Sequence, residues 1–140
     1  MTRIMLIDDH AIVRLGMRAL LETQEHLEVV AEAGSRAEAL EEIRSFQETG
    51  DCPDVAVVDL VLGVDDGLEF VKELKNMCPD MDILVVTMQD EAVYAERVLK
   101  AGARGFLQKK NATRHLVEAV ETVCRGNPYI SRASRARGIG

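Results

Sequence analysis

The chain of 140 residues has no tryptophan and only three Phe and two Tyr, so its core must be aliphatic. It has three prolines and no proline-rich segment that would mark a linker or a recognition tract. No apolar run approaches the length that spans a bilayer. Cys52, Cys78 and Cys124 are odd in number, far apart and without a CxxC pair, which argues against a zinc or disulfide framework. Reduced thiols in a reducing compartment are the expectation from that spacing. No acid occurs after Glu121 and the net charge is −7, with Arg132, Arg135 and Arg137 concentrated in the tail. So acidic a body argues against nonspecific nucleic-acid binding by this part of the chain. Neither a Walker A loop nor a GxGxxG turn is present. At the start, Met1 to Ile7 meets Asp8 and Asp9 before a signal-peptide core could form, which gives a cytoplasmic expectation.

What is present is a set of short apolar runs that end on polar groups. Val55-Ala56-Val57-Val58 runs straight into Asp59, and Arg3-Ile4-Met5-Leu6-Ile7 runs into Asp8 and Asp9. Such Val- and Ile-rich runs read as strands buried on both faces. Leu27 to Ala33 alternates weakly, like a more exposed edge strand. Met81 to Thr87 ends on a hydroxyl, and Gly105 to Gln108 leads to Lys109.

Helical patterns separate these runs. The first has Ile12, Leu15, Ala19 and Leu20 on one face. The second opens with a capping box, Ser35-Arg36-Ala37-Glu38, runs to about Glu48 and closes at Gly50. Gly63 and Gly67 fall in an expected loop, followed by a helix over 68–77 that stops before Pro79. Ala92, Ala95, Val98 and Leu99 mark a fourth helix, ended by Gly102. Asn111 is the expected cap of a fifth, with Leu116, Val120, Val123 and Cys124 on one face, ended by Gly126 and Pro128.

Strands recur every 23 to 27 residues, a βα unit length. Five units predict an α/β fold, a doubly wound five-stranded parallel sheet of flavodoxin-like (βα)5 type with strand order 2-1-3-4-5. Strands 1 and 3 are then neighbours, and their carboxyl ends bring Asp8, Asp9 and Asp59 together. Three converging acids need a cation or a raised pKa. Hard oxygen donors suit Mg²⁺, which commonly joins one or two carboxylates to a phosphate. Thr87 and Lys109 stand at the same edge, and together these groups describe a phosphoryl acceptor.

Asp8-Asp9, Val57-Val58-Asp59, Val86-Thr87 and the segment from Lys100 to Lys109 resemble the receiver domain of two-component response regulators, over about residues 2 to 126. The lysine segment and Thr87-Met88 resemble receivers joined to LuxR/NarL-type helix-turn-helix domains. The resemblance implies that Asp59 accepts phosphate from a phosphohistidine on a sensor histidine kinase. It implies Mg²⁺ on Asp9, Asp59 and the Val61 carbonyl, with Asp8 acting mainly through water. Thr87 and Lys109 would each meet a phosphoryl oxygen, and Phe106 would turn inward as Thr87 moves. The expected product is a switch of the face formed by helix 4, strand 5 and helix 5. It would catalyse only its own phosphorylation and dephosphorylation, and homodimerisation on phosphorylation is one output. Residues 1–126 form the expected receiver and 127–140 a linker toward a C-terminal DNA-binding domain. No membrane partner is implied.

The pattern departs from many receivers at Gly63 and Lys110, where prolines are frequent. Val61 and Gln89 stand at positions that tune aspartyl-phosphate lifetime in the family. Four rival readings are weaker, one of them a phosphorylation-independent receiver, which is hard to sustain with the acceptor constellation whole. An aspartyl-phosphate hydrolase of haloacid-dehalogenase kind wants an Asp where Val61 stands. A flavin-binding module wants a Ser/Thr-rich loop where Asp8-Asp9-His10 stands. A stand-alone receiver would act through protein contacts without DNA. The bland readings of single residues are a solvated loop acid for Asp59, strand-end capping for Thr87 and core packing for Phe106. For His10, beside the acid pair, a solvent-facing helix start is simpler than approach to the metal. His26 and His115 read as surface residues.

Overall fold

A computed structural model describes residues 1–60 and 64–130, with the backbone alone for 64–66. The elements alternate as β1 (Thr2–Ile7), α1 (Ala11–Leu21), β2 (Leu27–Ala33), α2 (Arg36–Thr49), β3 (Val55–Val58), α3 (Val64–Met77), β4 (Asp82–Thr87), α4 (Glu91–Ala101), β5 (Gly105–Gln108) and α5 (Ala112–Cys124). The five strands pair in parallel in the order β2-β1-β3-β4-β5, the doubly wound order the βα spacing predicts.

The sheet divides the core in two by alternation along β1, β3, β4 and β5, while on β2 an irregularity opposite Ile4 and Met5 puts Leu27 and Val29 in one layer and Ala31 and Ala33 in the other. Met5, Ile7, Ala56, Val58, Ile83, Val85 and Phe106 face a layer formed by α2, α3 and α4, and pack on Ile43, Phe70, Leu74 and Val98. Ile4, Leu6, Val55, Val57, Leu84, Val86 and Leu107 face α1 and α5, and pack on Met17, Leu21, Leu116 and Val120. All four residues of β3 are at 0% exposure, so no charge is tolerated before its end. Asp59 is the first position where a carboxylate can stand.

Register then decides what meets at the rim. Ile7 pairs with Val58, and the Asp59 N–H donates to the Ile7 carbonyl at 2.9 Å, so Asp8 and Asp59 leave the sheet side by side. Val58 pairs with Val85 and Thr87 with Gln108, which carries Thr87 and Lys109 to the same edge.

Four local expectations are corrected. On α1, Ile12, Leu15 and Ala19 point to solvent, and the buried stripe is Val13, Met17, Leu20 and Leu21, at i, i+4, i+7 and i+8. This helix is apolar on most of its circumference, so two stripes fit its sequence equally. On α4, Ala92 is exposed and the buried side is Glu91, Ala95, Val98 and Ala101. The third helix starts at Val64, so Gly67 lies inside it; a Cβ there would sit 3.3 Å from Leu60 Cδ1, and glycine lets the helix seat on that leucine. Gly63 lies outside the described residues. Asn111 makes no side-chain cap: residues Lys109–Asn111 form a 3₁₀ turn that feeds directly into α5.

The capping box is present with a shift of one residue. Ser35 accepts from the Glu38 N–H at 3.2 Å, while Glu38 accepts from the Gly34 N–H at 3.0 Å. At the other sheet edge, residues beyond α5 run back along β5. The Phe106 N–H donates to the Tyr129 carbonyl at 2.8 Å and Ile130 is buried. A Cβ on Gly105 would lie 2.9 Å from Val123 Cγ1 and 3.1 Å from Tyr129 Cβ, so only glycine admits this packing.

The cysteine expectation is overturned. Cys52, just before β3, and Cys78, just past α3, form a disulfide with their Cα atoms 6.3 Å apart, and only Cys124 of the three is free. Sequence spacing misses this because the two meet only once β3 and α3 pack together, 26 residues apart along the chain. The bond joins the ends of the segment that carries Asp59.

Candidate functional site

At the carboxyl edge of the sheet, Lys109 Nζ stands 2.8 Å from Asp59 Oδ2 and 3.0 Å from Asp8 Oδ2. The Asp8 and Asp59 side chains are 0% and 2% exposed, and that of Lys109 is 14% exposed. One ammonium therefore serves two buried carboxylates. Asp8 Oδ2 feels the lysine charge without a hydrogen bond of acceptable geometry, and Asp59 Oδ1 has no partner at all among the described residues. Buried carboxylate oxygens left bare in this way are costly unless a further cation meets them.

The titration of the pair follows from these contacts. Burial pushes the Asp59 carboxyl above its ordinary value; Lys109 opposes the rise, and the Asp8 and Asp9 charges add to it. Burial pulls the Lys109 ammonium down, but its contacts with Asp59 and Asp8 outweigh this, and its pKa lies above the ordinary lysine value.

The acids are held from behind. The His10 backbone N–H donates to Asp8 Oδ1 at 2.8 Å. Arg14 donates through Nη1 to the Asp8 carbonyl and through Nε to Glu32 Oε1 at 3.2 Å, and Arg18 also bonds Glu32. This brace from β2 through α1 to the β1 end escapes sequence reasoning, although Arg14 and Arg18 one turn apart opposite an edge-strand Glu are its signal. The His10 ring also approaches: its Nδ1 lies 2.8 Å from Asp9 Oδ1 and 3.4 Å from Asp8 Oδ1. The solvent-facing reading of His10 is thus half right, for the side chain is 62% exposed and yet turned toward the acids.

Thr87 is buried, donates from Oγ1 to the Leu60 carbonyl at 3.2 Å and accepts from the Gln89 N–H at 3.3 Å. It ties the loop after Asp59 to the end of β4. Phe106 is already at 0% exposure in the core on the α4 side of the sheet, so the expected inward turn has no outward starting position in this structure. Asp8, Asp9, Asp59, Thr87 and Lys109 thus gather at one rim, while Val61 lies outside the described residues. His26 pairs with Glu121 at 2.6 Å and His115 lies 3.6 Å from Glu118, and neither is grouped with Asp8, Asp9, His10 and Asp59.

Asp8, Asp9, His10 and Asp59 each offer a ligand atom within 4.8 Å of the others. Oxygen donors predominate, one of them, Asp59 Oδ1, buried and without a hydrogen-bond partner, and this set fits a hard divalent ion such as Mg²⁺. A carboxylate nucleophile, a cation site and a lysine within reach of one point are the parts that phosphoryl transfer to an acyl oxygen requires.

Comparison with known proteins agrees with this geometry. Residues 4–121 match the family model of the response regulator receiver domain. The oxygen regulatory protein NreC of Staphylococcus epidermidis is 36% identical over 129 residues, covering 91% of this chain and 57% of NreC. A two-component response regulator of the LuxR family from Aurantimonas sp. SI85-9A1 superposes with a TM-score of 0.81 at 35% identity, covering 97% of this chain and 94% of that one. The isolated receiver domain of RcsB from Salmonella enterica has the same fold, with a TM-score of 0.85 over 98% of both chains at 24% identity. The chain spans just over half the length of the curated relatives it matches.

Proposed function

This chain belongs to the response regulator receiver domain family, in its NarL/LuxR-type branch, and from that premise we propose that Asp59 is the acceptor of a phosphoryl group delivered by a sensor histidine kinase. The observation that carries the proposal is the bare, buried Oδ1 of Asp59 on a carboxylate whose other oxygen is fixed by Lys109.

In this reading an Asp59 oxygen attacks phosphorus in line. The new P–O bond forms as the P–N bond to the donor imidazole breaks, and the products are an acyl phosphate and a neutral histidine. Asp9 and Asp59 would hold Mg²⁺ directly, with Asp8 joined through water and the Val61 carbonyl completing the set. When bound, Mg²⁺ supplies charge neutralisation for the transferring group. Lys109 shifts from Asp59 Oδ2 to a phosphoryl oxygen, a short move for an ammonium already 2.8 Å from the nucleophile. Burial keeps water from competing for the carboxylate.

The switch begins at Thr87. Its hydroxyl leaves the Leu60 carbonyl for a phosphoryl oxygen, and Phe106, packed beneath the same strand end, adjusts with it. Apolar Met88 and Val93, 77% and 52% exposed at the entry to α4, offer the α4, β5 and α5 face something to present to a partner or a second copy. Transcription is the output we favour, through a helix-turn-helix domain beyond the stretch that packs along β5 as far as Ile130. The domain is a switch and turns over no metabolite. We assign it to the cytoplasm on the ground of the phosphorelay, since the joined Cys52 and Cys78 remove the thiol argument for a reducing compartment.

The test is labelling by acetyl phosphate with Mg²⁺, read by intact mass. Wild type gains one phosphoryl group and Asp59→Asn gains none; equal labelling of the two sinks the assignment.

A further inference from the structure

The acid pair of this receiver is followed by a largely exposed imidazole whose Nδ1 turns toward the two acids, and the phosphoryl chemistry above makes no use of it. His10 Nδ1 lies 2.8 Å from Asp9 Oδ1 and 3.4 Å from Asp8 Oδ1. Neighbouring ligands of an octahedral ion with bonds of about 2.1 Å stand about 3 Å apart. The Nδ1 position therefore matches a ligand corner of the same ion that the carboxylates would share. All four residues offer their donor atoms within 4.8 Å of one another. That a cation belongs among them is indicated independently by Asp59 Oδ1, buried and without a hydrogen-bond partner, and by Asp8 Oδ2, buried and met only by the Lys109 charge.

We infer that His10 is a metal-selecting ligand, whose imidazole strengthens the hold of the acceptor pocket on nitrogen-accepting first-row divalent ions such as Mn²⁺ and Co²⁺ relative to Mg²⁺. The inference rests on the pocket being a cation site and adds which ions it takes. Mg²⁺ dehydrates reluctantly and favours oxygen, so an imidazole adds little to its binding. Mn²⁺ and, more strongly, Co²⁺ gain from a nitrogen donor, in the order in which these ions generally bind such ligands. The ring binds as the tautomer with its proton on Nε2, which at 62% side-chain exposure points to solvent without loss. The backbone contributes separately. The His10 N–H holds Asp8 Oδ1, and that bond survives any change of the side chain.

This separation makes His10→Ala a clean variant, since it removes the imidazole and keeps the amide that orients Asp8. Titration calorimetry with Mg²⁺ and with Co²⁺ on wild type, His10→Ala and Asp59→Asn reads the three cases apart. The expected result is a Co²⁺ affinity lowered about tenfold or more in His10→Ala, with Mg²⁺ affinity changed less than about twofold. Pulsed electron paramagnetic resonance of bound Mn²⁺ should show ¹⁴N coupling in wild type that is absent in His10→Ala. Equal losses for Co²⁺ and Mg²⁺, no loss for either, or Mn²⁺ bound without nitrogen coupling would overturn the assignment of His10. In those cases Mg²⁺ binding that Asp59→Asn weakens leaves the acceptor reading intact. Failure of wild type to bind either ion would overturn both.

Discussion

Lys109 Nζ and Asp59 Oδ2 meet at 2.8 Å across 50 positions of chain, and the same nitrogen is 3.0 Å from Asp8 Oδ2. A single cation thus holds two buried acids in one place before any divalent ion arrives. Lys109→Ala leaves both carboxylates without a protein partner of opposite charge. The cost in metal-free protein at neutral pH should be about 1–3 kcal/mol, below the value for a fully enclosed pair because the lysine remains partly open to water. The sign is fixed by the raised Lys109 pKa. Its contribution is fully present below the ordinary value of 10.5 and is lost as pH rises through the higher folded value. Thermal melts at pH 7 with and without Mg²⁺ check this: the variant melts lower in chelator and recovers more than wild type on adding Mg²⁺. Equal melting temperatures in chelator would mean that solvent already screens the pair.

The Asp59 carboxyl gives the opposite dependence. Burial raises its pKa above 3.8 despite Lys109, so ionising it in the folded protein costs stability. The folded state binds the proton more tightly than the unfolded one. Stability should therefore fall as pH rises from 3.8 through the raised value, and stay lower above it. Asp59→Asn removes that loss. In metal-free protein its melting temperature should exceed that of wild type by a few degrees at pH 7, and the two should converge as pH falls toward 3.8. A variant less stable than wild type at pH 7 would show that the Lys109 contact outweighs burial.

Cys52 and Cys78 close a covalent ring around β3, Asp59 and α3. In the chain-entropy account a ring of this size stabilises by about 3.5 kcal/mol, and reduction should remove most of it. Alkylation mass spectrometry on unreduced protein should find Cys124 as the one modified cysteine, and dithiothreitol should lower the melting temperature. Cys52→Ser is the variant of choice, because Cys52 is half-buried while Cys78 is 2% exposed. It should melt with reduced wild type and be indifferent to dithiothreitol. Labelling of all three cysteines without reductant would mean that the bond does not form in solution.

How much of this was legible in the residues depended on how much each feature was over-determined. The sheet order followed from five apolar runs at even spacing, because a parallel strand buried on both faces has few other ways to read. The rim followed from where those runs end: Ile7 into Asp8 and Val58 into Asp59 fix both residues once the strands pair. The buried side of α1 was ambiguous, since Ile12 and Leu15 make as good a stripe as Val13 and Met17 until the sheet chooses between them. Asn111 has the right chemistry for a cap, but the 3₁₀ turn from Lys109 supplies the geometry without it. The Cys52–Cys78 bond, the Arg14–Glu32 brace and the lean of His10 toward Asp9 are tertiary contacts, and local pattern carries no account of them.

Thr87 separates accepting the phosphoryl group from responding to it. Its Oγ1 holds the Leu60 carbonyl at 3.2 Å, beside the acceptor but bonded to the loop. Thr87→Ala removes two hydrogen bonds, to the Leu60 carbonyl and from the Gln89 N–H, each worth about 1 kcal/mol, and leaves Asp59, Lys109 and the acid pair in place. The variant should still take a phosphoryl group from acetyl phosphate. What it should lose is the transmitted change, because no hydroxyl is left to exchange the loop carbonyl for a phosphoryl oxygen and draw Phe106 after it. Amide hydrogen exchange with and without beryllofluoride and Mg²⁺ reads this directly. Wild type and Thr87→Ser should change protection along α4 and β5, whereas Thr87→Ala should change it only around Asp59. The same protection change in Thr87→Ala as in wild type would move the start of the switch away from this hydroxyl. The neighbouring Lys109 would then be the first group to test, since it contacts the acceptor and is followed directly by the turn into α5.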